Sequence, residues 1–533
     1  MQDELLDVVM EPKPPLGIRC LPPVTRDVTT KSRLYRGFIL VFTFFIYASY
    51  HLSRKAISVV KNAWSCNQNS TDNSSNGANC TSWKPFDGDH SKVYLGSLDT
   101  SFLIAYAVAM FFSGHLGDRM KLRYFLMIGM LGSGLFTAAL GFAHFLNIHV
   151  LAYFVVVQVL GGMFQSTGWP SVVAVMANWF GRGNRGLIMG IWNSHTSVGN
   201  ILGSLIAGYF VHHYWEWSFI VPGLIIGSLG IMTALFLPAD PDEVQALPPN
   251  HHEFSVENNP LMNARKVSTA SFTSTGSQSS KAVGICKALQ IPGVLEYSGS
   301  LFFAKLVAYT FLYWLPFYIH STLKDSAGKP VSKTKAAYFS TFFDIGGIVG
   351  SIAVGYLSDI LKVRGIACVL MTVLSIPALF FYELYGGDSE KMAIALSLIC
   401  GFFVNGPYSL ITTAVSADLG THKSLEGSEK AKATVAAIID GTGSIGAAVG
   451  PFLTGWIAGS DSETGWKNVF YMLIVASALS GLLLTRILVR DIRNLFKRCC
   501  KKRERCRYEV ESVQLTELET IFVSKYRNIG VRF

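Results

Sequence analysis

Charge is scarce in this chain. Only 15% of its 533 residues are Asp, Glu, Lys or Arg, against ~25% in ordinary water-soluble domains. Acids are the scarcer sign: 35 Asp and Glu stand against 45 Lys and Arg, a formal net charge of +10. A chain that is 50% hydrophobic, with 36 Phe, cannot hide that apolar surface inside a soluble globule. The same balance excludes disorder over most of the length, because disorder needs low hydrophobicity and high charge. Nine cysteines are too few for a disulfide scaffold of this size. The sequence has no P-loop, no H-E-x-x-H, no G-x-S-x-G and no Cys/His metal spacing, so it offers no support for an enzyme and calls for no cofactor or metal. What it has is long apolar runs, and a polytopic membrane protein is the class that uses them.

A bilayer core of ~30 Å takes ~20 apolar residues per helix. Twelve runs qualify, near 37–60, 93–114, 124–145, 150–178, 187–210, 218–237, 293–319, 336–357, 366–385, 391–414, 433–457 and 467–489. A β-barrel would show alternating segments of about ten residues instead. The expected fold class is therefore all-α, with twelve transmembrane helices. Glu4, Asp7 and Glu11 precede the first run, the wrong order for a secretory signal.

Loop charges predict the orientation. Arg119, Lys121 and Arg123 follow the second run, Arg182 and Arg185 the fourth, and Lys362 and Arg364 the eighth, and a basic tail follows the twelfth. All fall on one side with the N-terminus, which puts both termini in the cytoplasm. Lys324, Lys329, Lys333 and Lys335 in the loop 320–335 dissent. The loop 61–92 carries sequons at Asn69, Asn73 and Asn79, with Cys66 and Cys80 around them. Glycosylation there, with a disulfide on the oxidising side, agrees with that orientation. The sequons are equally what an Asn- and Ser-rich loop contains by composition. Cys499, Cys500 and Cys506 in the tail are candidates for palmitoylation or plain thiols. The net positive charge calls for anionic lipid headgroups rather than nucleic acid.

The sequence repeats itself. GHLGDRMKLR (114–123) returns as GYLSDILKVR (355–364), 241 residues on (Gly114 and Gly355). SVGNILGSLIAG (197–208) returns as SIGAAVGPFLTG (444–455), 247 residues on (Gly199 and Gly446). The polar, Ser/Thr-rich stretch 238–292 separates the copies and reads as a flexible linker. The expected organisation is a cytoplasmic segment 1–36, a six-helix half 37–237, the linker 238–292, a second half 293–489 and a cytoplasmic tail 490–533. Glycines four apart let helices approach closely. In the loop motif Asp118 and Asp359 are placed to pair with an arginine or a helix N-terminus, with Arg119, Arg123 and Arg364 beside them, as a gate. The plainer reading makes those arginines topology signals only.

Ionisable residues inside spans are expensive and mark function. Arg54, Lys55, His195 and Lys305 are the possible cations, and Asp344 and Asp440 the acids. A cavity with excess positive charge takes an anion. An Arg fork suits phosphate in bidentate fashion, and Lys adds a point charge. Arg54, Lys55 and Lys305 also have a snorkelling reading, and His195 a packing one. Asp344 reads as a counter-ion, with Lys55 as its partner, and the role of Asp440 is open.

YxxYHxSRK in the first run, GWPSVVAVMANWFGRGNRGLIMGIWNSHTSVGN (168–200) and GPYSLITTAVSADLGTH (406–422) resemble the organophosphate:phosphate antiporter family of the major facilitator superfamily. The resemblance covers nearly all of 34–490 outside the linker and is to the eukaryotic glucose-6-phosphate exchangers of solute carrier family 37. It implies exchange of a phosphate ester for inorganic phosphate by alternating access, in the endoplasmic reticulum membrane, which the sequence does not separate from the plasma membrane. Arg54, His195 and Tyr106 match the family's helix 1 Arg, helix 5 His and helix 2 Tyr. With Trp314 aligned, the family's helix 7 Arg falls on Ala308. Lys305, one turn earlier on roughly the same face, is its expected substitute, and Tyr309 and Asn193 complete the expected substrate set. Met110 stands where a bacterial member has a lysine. Other readings are a proton-coupled carrier of another organic anion, separated by dependence on pH rather than on trans phosphate, and a non-transporting sensor. The oligomeric state is not legible.

Overall fold

A computed structural model describes residues 14–20, 22, 25, 27–64, 83–87, 91–117, 119–180, 185–211, 214–247, 285–324, 328–420, 431–458 and 462–497. Outside them lie Asp118, the three sequons, Cys66 and Cys80, most of the linker, and Cys499, Cys500 and Cys506.

The twelve expected spans are helices. In chain order they are α1 (Val28–Trp64), α2 (Ser91–Gly117), α3 (Leu122–Phe145), α4 (Leu151–Trp179), α5 (Arg185–Asn193 and His195–Phe210), α6 (Trp217–Phe236), α7 (Val294–Thr322), α8 (Lys333–Leu361), α9 (Arg364–Tyr385), α10 (Glu390–Leu410), α11 (Ala431–Ile457) and α12 (Ser462–Leu483). Ten are long and apolar enough to cross a membrane. The other two, α1 and α5, fall short for reasons that bear on function. His51, Arg54 and Lys55 lower the hydropathy of α1, and a break at Ser194 leaves α5 in pieces of 9 and 16 residues. At 37 residues α1 is also longer than expected, ~55 Å at 1.5 Å per residue. The span expected at 467–489 begins earlier, and its last part belongs to a separate helix over 485–497.

Helix packing repeats with the sequence. In the first half α1 packs on α5, α2 on α4 and α3 on α6; in the second, α7 packs on α11, α8 on α10 and α9 on α12. The two largest contacts between the halves are equivalent, α2 on α11 and α5 on α8, and α1 also meets α7. The repeated glycines explain two of these pairs. A Cβ on Gly203 would lie 2.6 Å from the Leu52 carbonyl of α1, and one on Gly450 would lie 2.5 Å from the Leu306 carbonyl of α7. The spacing read from sequence is thus a close approach of α5 to α1 and of α11 to α7.

α10 ends in a wide turn over Ile411–Val415, where the Ser416 hydroxyl donates to the Ile411 carbonyl at 2.8 Å. Such wide turns are frequent at functional sites. This one follows Pro407 and Tyr408 and packs against the first piece of α5.

Candidate functional site

Tyr47, Tyr50, His51, Arg54, Ser58 and Lys61 recur along α1 at three- and four-residue spacing, so they share one face, and all are buried. This is the inner wall of the first half. Near its middle stands Arg54. Its Nε donates to Gln165 Oε1 of α4 at 2.5 Å, and Gln165 is held in turn by donating to Ser53 Oγ at 3.0 Å. The guanidinium lies over the Tyr106 ring of α2, 4.5 Å from its centroid, and Phe102 stands behind at 5.7 Å. Nη1 reaches across to the Tyr309 hydroxyl of α7 at 3.4 Å. Nη2 is buried without a hydrogen-bond partner. Arg54 is thus oriented by Gln165 and the ring, and keeps one donor edge free. A cavity of about 20 Å³ adjoins it, lined by Ser53, Gln158, Gln165 and Tyr313 among others.

His195 begins the second piece of α5, directly after the break. Its ring packs among Trp192, Tyr47, Phe44 and Trp169, with centroids 4.5 to 6.3 Å away. Nδ1 is 3.2 Å from Thr196 Oγ1, and Nε2 has no partner. His51 faces it with ring centroids 6.4 Å apart, and its Nδ1 is unpartnered as well. Asn193, the last residue before the break, donates to Ser409 of α10 at 2.8 Å and so bridges the halves.

Lys305 occupies the opposite wall, on α7. Its Nζ donates to Asp440 Oδ1 of α11 at 2.6 Å and to Ser444 Oγ at 3.3 Å. The Tyr309 and Tyr408 rings flank it at 5.8 and 5.6 Å. Arg54, His195 and Lys305 are at most 5% exposed. The structure therefore brings Arg54, Tyr106, Lys305, Tyr309 and Asp440 together, with Tyr309 touching both cations. Asp440, left open by the sequence, neutralises Lys305, which reduces the excess of positive charge that the residue list suggests.

The other two candidates form separate bridges between the halves. Lys55 donates to the Leu312 carbonyl of α7 at 2.8 Å. Asp344 of α8 accepts from Asn200 Nδ2 of α5 at 2.9 Å. The two charges influence each other, but no hydrogen bond or salt bridge joins them.

Sequence reading passed over Gln165 and His51, which have the company described above. It also passed over a buried ion pair between Lys61 of α1 and Asp99 of α2. Lys61 lies over the Trp314 and Tyr313 rings of α7, at 4.9 and 5.5 Å. Asp99 is an acid inside an apolar run, so the rule that found Asp344 would have found it. Lys61 falls one residue past the expected end of the first run.

Of the loop motif, Arg123 pairs with Glu243 after α6 at 3.1 Å and lies over the Tyr124 ring at 5.1 Å. Arg364 donates to Asp418 after α10 at 2.5 Å and to Ser358 Oγ at 3.2 Å, and is 3.8 Å from Asp359. Arg119 is exposed at the turn before α3. The two final arginines of the repeat thus do equivalent work: each ties the first turns of one helix to the segment leaving another.

Residues 38–428 match the Major Facilitator Superfamily. The chain belongs to that superfamily. The glucose-6-phosphate exchanger SLC37A2 of Mus musculus is 51% identical over 482 residues, covering 87% of this chain and 94% of its own. The Homo sapiens protein of the same name is 52% identical, with the same coverage. A protein of Arabidopsis thaliana named for glycerol-3-phosphate transport is 47% identical over 94% of this chain and 97% of its own. Among solved structures, a bacterial homologue of the lysosomal transporter Spinster, inward-facing and unoccupied, matches with a TM-score of 0.55 at 14% identity, over 86% of this chain and 98% of its own. That likeness supports the fold alone. A superfamily transporter, not an enzyme, is what these relatives describe.

Proposed function

We propose that this chain exchanges glucose-6-phosphate, or a closely related sugar phosphate, for inorganic phosphate by alternating access of its two halves. The observation that carries the reading is Arg54: buried between the halves, oriented by Gln165 and Tyr106, with Nη2 unpartnered. Relatives at 51% and 47% identity are named for glucose-6-phosphate exchange and glycerol-3-phosphate transport, so a phosphate monoester is the shared chemistry.

The phosphate sits between the walls, with Arg54 donating from the first half and Lys305 from the second. Lys305 moves part of its bonding from Asp440 to the phosphate. Tyr309, between the cations, donates its hydroxyl proton to the anion, and Tyr106 and Asn193 shape the space for the sugar. His195, with its Nε2 unpartnered, is the group assigned to follow the phosphate's charge. Lys55 joins the wall by its bridge to Leu312, and Asp344 serves there as a counter-charge. A shared ligand draws the halves together and favours closure. An empty closed site leaves the Arg54 charge uncompensated, at a cost of several kcal/mol. Return without cargo is therefore slow, which favours exchange over net flux. The arginine pairs of the repeated loops each lie within one half, Arg123 with Glu243 in the first and Arg364 with Asp418 in the second, so they brace those halves and do not join them as a gate. The basic loops support cytoplasmic termini, with the 61–92 loop and its sequons opposite; the endoplasmic reticulum membrane is what the family resemblance implies.

Purified protein in phosphate-loaded liposomes tests this. Labelled glucose-6-phosphate should enter only against internal phosphate, and Arg54→Ala should abolish uptake. Uptake independent of internal phosphate but driven by a pH gradient overturns the exchange reading.

A further inference from the structure

A basic groove at the far end of α12 lies outside everything described so far. After a turn at Leu484 the chain continues as a helix over 485–497. Arg486, Arg490, Arg493 and Lys497 recur at steps of four, three and four, which places them on one stripe. A second face, with Leu484, Ile487 and Asp491, is buried, and Asp491 accepts from the Gly365 amide of α9 at 3.0 Å. That bond holds the helix against the bundle and fixes where the basic stripe points. A third face exposes Val489, Ile492 and Phe496.

The four cations line a cavity of about 720 Å³ together with Pro292, Gly293 and Glu296 at the entry to α7. Glu296 takes Arg486 at 3.0 Å, and Arg490 has Asp491 at 3.7 Å. Among the described residues no carboxylate pairs with Arg493 or Lys497. The groove keeps an excess of positive charge, and apolar groups line it beside the cations: Pro292, and Val489, which is 42% exposed. A soluble anion would use only the charged half of this arrangement. A molecule with an anionic head and an apolar tail uses both.

We infer that this groove binds the headgroup of an anionic phospholipid, its acyl chains lying along Val489, Ile492 and Phe496. Arg490 and Arg493 present planar donors to the phosphate, Lys497 adds a point charge, and Glu296 keeps Arg486 at the rim. The site is separate from the transport pathway, since none of its residues touches the central cluster.

The test titrates full-length protein in detergent with phosphatidylinositol 4-phosphate or phosphatidylcholine and counts bound lipid by native mass spectrometry. Two variants accompany it: R490Q/R493Q/K497Q in the groove, and K31Q/R33Q/K121Q, which removes equal charge from the same side of the bundle. The wild type and the control should hold the phosphoinositide, and the groove variant should bind at least ~10-fold more weakly. Phosphatidylcholine should bind all three poorly, and exchange in liposomes should persist in both variants. Unchanged binding in the groove variant, or equal loss in the control, overturns the assignment. So does displacement of the lipid by inorganic phosphate at millimolar concentration, which would mark a soluble-anion site.

Discussion

The two walls of the central site are related by sequence repetition yet are electrically unlike. On the first, Arg54 has no carboxylate: an amide, a ring and a tyrosine hydroxyl hold it, and one donor edge is free. On the second, Lys305 is already neutralised by Asp440. In the proposed exchange the first wall therefore demands an anion, and the second exchanges one anion for another. A site built from two free cations would bind phosphate tightly and release it slowly. In the proposed mechanism Asp440 competes for Lys305 as the ester leaves, and release becomes easier.

The comparison breaks most severely at Arg54. Arg54→Ala should lower exchange by at least ~100-fold, since two charge-assisted bonds at ~1.5–3 kcal/mol each are lost. Arg54→Lys should recover only a small part, because an ammonium cannot present the planar fork. Initial rates of labelled phosphate homo-exchange measure both, and near-wild-type exchange in Arg54→Ala would remove the first wall from the mechanism.

On the second wall, Lys305→Ala should be nearly as damaging for a different reason. It leaves Asp440 buried alone, a penalty of ~3–5 kcal/mol, and puts a negative charge beside the phosphate. The double variant Lys305→Ala/Asp440→Ala should therefore regain thermal stability in detergent without regaining exchange. Asp440→Asn alone should bind phosphate more tightly and turn over more slowly. Faster turnover with weaker binding would show that Asp440 is not the competitor described.

The Lys61–Asp99 pair gives a smaller effect. Asp99→Asn strips Lys61 of its charge partner and should destabilise the fold by ~3 kcal/mol, read as a lower melting temperature. Lys61→Met/Asp99→Leu should restore it, because well-packed apolar groups replace buried pairs with little loss. The restored protein should still exchange, but with an altered rate, because Lys61 no longer lies on Trp314 and Tyr313 between the halves. The smallest effect belongs to the helix approach. Gly203→Ala puts a methyl against the Leu52 carbonyl, costs ~1–3 kcal/mol by overpacking, and should lower stability more than it changes the Michaelis constant for phosphate.

Much of this architecture was legible in the residues. Apolar runs of the right length located the helices, because a bilayer fixes that length. The internal repeat located the two halves, and its glycines mark the α1–α5 and α7–α11 approaches. The rule on intramembrane charge found Arg54, Lys305 and Asp440; Lys305 bonds Asp440 directly, and Tyr309 lies between that pair and Arg54. The breaks in α5 at Ser194 and the wide turn at Ile411–Val415 were not legible, because apolar periodicity continues through both. Lys55 and Asp344, which the sequence offers as cation and counter-ion, act on each other electrostatically, while their hydrogen bonds cross to the other half by separate routes, through Leu312 and through Asn200.

The sequence by itself determined the class, the number of spans, the two-fold plan and the positions where charge is buried, since solvent and chain length dictate these residue by residue. Which charges meet was decided only by the tertiary structure. Lys305 and Asp440 are 135 residues apart, and Arg54 and Tyr309 are 255 apart. Only the packing of α1 and α2 against α7 and α11 brings them within bonding distance. A sequence records that a charge is inside the membrane; the partner that makes its burial tolerable comes from another helix.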